Sequence, residues 1–185
     1  MKSKFQSLVE EAIELKADHA AMIDVSQIKF YADARRACEK NVCGNYDTNW
    51  KGPPAIGPID KLIDKAKRYE EGLLIQTVHQ LSSPFDLKGM KAAAKVYEGI
   101  FRKILSHVRV KYKFKDILPL SAGCCRLCKV CTYVDGIECK FPDKAFSSLE
   151  AYGIDVIALE KSCGIPYYNG LNTISYVGLI LFNEN

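Results

Sequence analysis

The chain has little that would mark a conventional enzyme. It contains no glycine-rich phosphate loop, no nucleophile elbow and no zinc-protease motif. Phosphate cradling, acyl transfer from an elbow serine and helix-borne zinc hydrolysis therefore lack their usual machinery. The three histidines, His19, His79 and His107, are isolated, and none stands at metal-ligand spacing to a cysteine. No internal repeat and no low-complexity linker breaks the sequence. Glu10 and Glu11 stand early in the chain, where a signal peptide needs an apolar run. The apolar run from Tyr176 to Phe182 is too short to span a bilayer. From these absences we expect a cytoplasmic protein with no membrane contact.

What is present is ordinary in bulk. Of 185 residues, 48% are hydrophobic and 26% charged, the balance of a soluble globular domain. A formal net charge of +4 is too mild to argue for nucleic acid, which we do not expect as a partner. The cysteines are the exception. There are eight, and five of them fall between Gly123 and Pro142.

Apart from Cys124, that segment reads Cys125-x2-Cys128-x2-Cys131-x7-Cys139. Three thiolates at successive x2 spacing let one short, turning segment aim its sulfurs at a compact cubane. The fourth follows a loop that Gly136 allows to turn tightly. Bacterial ferredoxin runs open in the same way and place a later cysteine beside a proline. Here the last gap is longer, and Pro142 comes three residues after Cys139. The spacing predicts a [4Fe–4S] ligand set on Cys125, Cys128, Cys131 and Cys139. The alternative is zinc, although four-cysteine zinc sites usually pair two separate Cys-x2-Cys knuckles, whereas these overlap at Cys128. Disulfides would need an oxidising compartment, which nothing else supports.

Helical and strand patterns alternate along the rest of the chain. Ser3 and Gln6 suit a capping box opening a helix to about Lys16, and Ala20 to Val25 reads as a strand. A second helix is expected over Ala32–Glu39. Pro58 should open a third, with Ile59, Leu62, Ile63 and Ala66 buried and Gly72 closing it. Leu73–Val78 reads as a strand. Asp86 should cap a long helix burying Met90, Ala94, Tyr97, Phe101, Ile104 and Val108. Two short helices follow, capped by Asp143 and Asp155 and ended at Gly153 and Gly164, before a strand over Val177–Phe182. The expected fold class is α/β (α+β): one compact domain over residues 1–185, with a mixed sheet, flanking helices and a cysteine-rich loop at 123–142. The loop is expected as an insertion between the long helix and the C-terminal helices.

Taken together, the two cysteine stretches resemble domain-of-unknown-function family 2284, small predicted metal-binding proteins. The carrying residues at the front are Cys38-x4-Cys43, Asn45-Tyr46, Asn49-Trp50 and Pro53-Pro54. Behind them come Gly123, Cys125 to Cys131, Cys139 to Pro142, and the stretch from Ser148 to Asp155. The resemblance spans nearly the whole chain. It implies a cytoplasmic metal-binding protein, iron–sulfur in type, and names no reaction. Members typically carry a third front cysteine where this chain has Gly52, so the front group of Cys38 and Cys43 is one sulfur short.

Other candidates have plainer readings. Cys38 and Cys43 could be buried structural thiols, although their x4 spacing beside a turn-rich loop is ligand-like. Cys124 and Cys163 are spare thiols. Glu150 and Asp155 could serve as acid or base, but a surface position and a helix cap account for them. Arg109, Lys111, Lys113 and Lys115 alternate with Val110, Tyr112 and Phe114; if extended, they would make a cationic face for an acidic redox protein partner. The function expected is electron transfer by an iron–sulfur protein. The alternative is a zinc-stapled module that binds a partner or RNA.

Overall fold

A computed structural model describes residues 4–184; the Ser3 half of the expected capping box lies outside the described residues. Two ten-residue strands organise the chain. β2 (Glu71–Gln80) and β5 (Thr173–Phe182) pair antiparallel along their whole length, from Glu71 opposite Phe182 to Gln80 opposite Thr173. β1 (His19–Asp24) adds antiparallel to the outer side of β2. β3 (Ile117–Ser121) adds antiparallel to β5, and the two-residue β4 (Ser147–Ser148) runs parallel to β3. The mixed sheet has the order β1-β2-β5-β3-β4.

Alternation along β2 and β5 sends their side chains to two cores. Leu74, Leu179 and Leu181 face α3 (Ile59–Ala66), α5 (Val156–Ser162) and the 3-10 turn Glu150–Tyr152, together with Leu62, Tyr152 and Leu159. Leu73, Ile75, Ile180 and Phe182 face α1 (Lys4–Glu14) and α4 (Leu87–Lys111), together with Leu8, Phe101 and Ile104. β2 and β5 therefore carry apolar residues on both faces, which is why they read as near-continuous hydrophobic runs.

The expected long helix is α4, 25 residues capped by Asp86, whose Oδ1 accepts the Gly89 N–H at 2.7 Å. Tyr97, Phe101, Ile104 and Val108 form its buried stripe. Asp155 caps α5 by accepting the Ala158 N–H at 3.0 Å.

Four local expectations are corrected. The third helix ends at Ala66, and Gly72 lies inside β2, packed under Leu179 and Leu181. The Ala32–Glu39 segment splits into a 3-10 turn (Ala32–Arg35) and the short α2 (Arg36–Glu39). No helix runs from Asp143; the chain there forms a turn, β4 and a 3-10 turn closed by Gly153 at φ 73°. The basic alternation is also no strand. Arg109 and Lys111 belong to the last turn of α4, where cations complement the helix dipole, and Lys113 turns back at φ 51°. The strand in this region is β3, so the cysteine segment joins β3 to β4.

Gly178 lies against α4 with no room to spare: a Cβ there would stand 2.5 Å from Phe101 Cε2 and 2.5 Å from Tyr97 Oη. Gly99, on the exposed side of α4, has nothing within 4 Å of its Cβ position. Gly178→Ala should therefore cost about 1–3 kcal/mol by overpacking. Gly99→Ala should instead gain roughly 0.5–1 kcal/mol from helix propensity. Opposite shifts of the thermal midpoint are expected; a neutral Gly178→Ala would refute the close approach.

Glu160 is 1% exposed, with Oε1 accepting from Gln76 Nε2 at 2.6 Å and Oε2 left without a partner. Burial raises its pKa, and the Gln76 hydrogen bond only partly offsets this. A raised acid favours folding while protonated, so its contribution is lost as pH rises through the folded-state value. Glu160→Gln should therefore be the more stable protein at neutral pH, by roughly 2–4 °C for about 1 kcal/mol. Its advantage should vanish in acid. Thermal melts across pH test this, and an advantage that grows in acid would reverse the argument.

Candidate metal centre

The cysteine segment leaves the sheet where Tyr97 holds it. The Tyr97 hydroxyl, buried under β3, accepts the Ala122 N–H at 3.1 Å and lies 3.2 Å from Ser121 Oγ. Burial drives the Tyr97 pKa far up, so the phenol stays neutral and available as donor and acceptor. Gly123 then turns the chain at φ 69°, and Gly136 turns it again at φ 67°. A 3-10 turn, Thr132–Asp135, lies between Cys131 and Gly136, and Thr132 Oγ1 closes the loop by donating to the Glu138 carbonyl at 2.9 Å.

Cys125, Cys128, Cys131 and Cys139, all half-buried, line one small cavity of about 20 Å³ walled by Leu127, Phe141 and Ala145. Burial pushes the Cys125 thiol up, and negative charge on Cys131 and Cys139 would push it further, while the Leu127 N–H pulls it down. These three sulfurs thus feel one another. Among the described residues, no three His, Cys, Asp or Glu side chains close tightly enough to hold a metal ion as they stand. A tetrahedral zinc needs four sulfurs at about 2.3 Å from one centre. A cubane gives each thiolate its own iron and needs a wider ring. Holding a metal here would therefore require side chains to move. The donor set, four thiols on one exposed loop, fits either.

The front loop reaches across to brace this segment. Trp50 Nε1 donates to the Ile137 carbonyl at 2.8 Å, and its ring meets Tyr133 edge-on with centroids 5.0 Å apart. The Tyr133 hydroxyl donates in turn to Asp47, which turns at φ 57°. Sequence reasoning missed this clasp; the only tryptophan in a polar, turn-rich loop was its one visible signal.

Cys38 and Cys43 do not approach the four-cysteine cavity. They line a separate one of about 280 Å³, to which Gly52 contributes no side chain. Burial, then the carboxylate of Glu150 and the Cys43 sulfur, raises the Cys38 thiol, against the lowering effect of Arg35. Cys163 packs half-buried against the α5-side core, where burial and Glu160 push it up to about 11. It stays a neutral packing thiol.

Glu150 and Asp155 both line a hollow of about 1070 Å³, with Tyr31, Arg126, Tyr167 and Tyr168. Asp155 is engaged as the α5 cap, and Glu150 is exposed. No helix among the described residues is long and apolar enough to cross a membrane.

An α+β chain that turns its cysteines into thiol-lined cavities belongs to the class of cysteine-rich metal-binding proteins. Residues 21–182 match the family described as predicted metal-binding protein (DUF2284), and the chain belongs to that family. No curated protein and no solved structure matches it.

The clasp yields a prediction. Trp50→Phe keeps a ring but loses the donor to Ile137, and should cost about 1 kcal/mol. It should also raise amide exchange selectively over residues 133–139. Unchanged exchange there would mean that the front loop does not brace the cysteine segment.

Proposed function

We propose that Cys125, Cys128, Cys131 and Cys139 ligate a [4Fe–4S] cluster and that the protein transfers electrons in the cytoplasm, as one domain over residues 1–185. The observation that carries this reading is the shared cavity: four cysteines spread over 15 positions of sequence line it together. When bound, the cluster would accept and release single electrons, and complete thiolate ligation would leave no iron open for Lewis-acid chemistry.

The chain's own residues suit that task. Leu127, Phe141 and Ala145 wall the sulfurs with apolar groups, which limits water at the site. The Leu127 N–H, bonded to Cys125, stabilises its thiolate. The same loop exposes Val130, Val134, Ile137 and Phe141, with Lys129 and Lys140 exposed among them beside Asp135 and Glu138. An apolar surface interleaved with cations suits transient docking of an acidic redox protein, with charge steering the encounter. The cationic face expected upstream is not needed for this.

Anaerobically purified protein should hold about four irons and four sulfides per chain from this centre, with a brown absorption that dithionite bleaches. Cys128→Ala should abolish that contribution without changing the far-ultraviolet circular dichroism. Binding should also change the fluorescence of Trp50, clasped to Ile137 beside the site. One zinc and no sulfide would replace this reading with a structural module that binds a partner or RNA.

A further inference from the structure

Cys124 and Cys125 are neighbours in sequence but line different cavities. Cys125 faces the four-cysteine cavity, whereas Cys124 joins Cys38 and Cys43 around the cavity of about 280 Å³. Both follow the turn at Gly123 just beyond β3, so one short backbone stretch serves both cavities. Asn45 links two of them: its Nδ2 donates to the Cys43 carbonyl at 2.8 Å, and its Oδ1 accepts from the Cys124 thiol at 3.3 Å. A thiol donating to a side-chain amide is already held in place.

The charge around these thiols is mixed, with Glu150 and Lys51 both in the cavity wall. Arg35 is 5% exposed. Its Nη1 donates to the Gly57 carbonyl at 2.7 Å, but its buried Nε has no hydrogen bond. The ion pair of that Nε with Glu39, at 3.4 Å, is to a half-exposed carboxylate. Lys51 is the cation in the cavity wall itself, opposite in sign to Glu150 in the same lining. A buried, incompletely compensated arginine just before a cysteine-lined cavity is costly unless negative charge gathers there.

We infer that Cys38, Cys43 and Cys124 form a second centre, a three-thiolate site for an iron–sulfur cluster with one iron left open toward Glu150 or an added ligand. The cavity has room for a cluster: all three cysteines stand in the lining of about 280 Å³. Each thiol loses its proton to solvent on binding. The inference does not rest on the four-cysteine centre, because the two cavities share no cysteine.

The test is anaerobic reconstitution of the full chain with iron and sulfide, followed by metal and sulfide counts. Wild type should hold about eight irons, and Cys38→Ala and Cys124→Ala should each halve that content. Cys163→Ala should change nothing. Full iron content in Cys124→Ala would overturn the inference, as would a wild type whose entire iron is lost in Cys128→Ala. If instead about four irons survive Cys128→Ala and disappear in Cys124→Ala, this second centre stands and the four-cysteine one fails. Alkylation of the unaltered protein gives a check free of folding defects. Loading should protect Cys38, Cys43 and Cys124 from iodoacetamide, and labelling of any of them at the rate seen without iron would refute the site.

Discussion

The ten paired positions between β2 and β5 carry the rest of the structure. Both strands are central, and where Gly72–Gln76 faces Val177–Leu181 both are buried, so the hydrogen bonds of that part of the ladder form away from water, where leaving one unmade is expensive. Their alternating side chains supply both cores, and the remaining elements are placed by which face they cover. α4 can lie close to β5 because Gly178 has no side chain, and this proximity lets Tyr97 reach the end of β3. The cysteine segment thus begins from a point defined by the most buried part of the molecule.

Beyond that point the structure changes character. Residues 123–142 contain no strand and no α-helix, and they are held by a few directed contacts. Thr132 closes the loop on itself, and Trp50 and Asp47 clasp it from a segment more than 80 residues earlier in the chain. Such a loop is stiff enough to keep four sulfurs facing one cavity. It also lacks the packing that would resist the small side-chain movements that metal loading requires. One short backbone stretch, Gly123 to Cys125, contributes to the lining of both thiol-lined cavities.

The sequence was informative wherever one periodicity or one cap decided the outcome. The stripe of α4, the Asp86 and Asp155 caps and the apolar runs of β2 and β5 were legible because local pattern and tertiary burial agree there. The failures share a cause. Lys111 and Lys113 alternate with apolar residues as in a strand, yet Glu11 binds Lys111 and α4 continues through it. Gly72 looks like a helix stop, but the ladder with β5 claims it. The Asp143 segment carries a cap residue and helical spacing, but pairing of Ser147 and Ser148 with β3 takes its backbone instead. In each case a distant strand or side chain outcompeted the local preference.

What the sequence determined by itself was the grouping of the thiols by type and spacing. Cys125, Cys128, Cys131 and Cys139 can face one cavity because a short turning loop permits little else, and this local constraint is written into adjacent residues. Only the tertiary structure decided where Cys124 goes. It stands beside Cys125 in the chain and shares a cavity with Cys38, more than 80 residues away. The path of β3, its pairing with β5 and the turn at Gly123 assign it there, and contacts over such separations leave no periodicity to read.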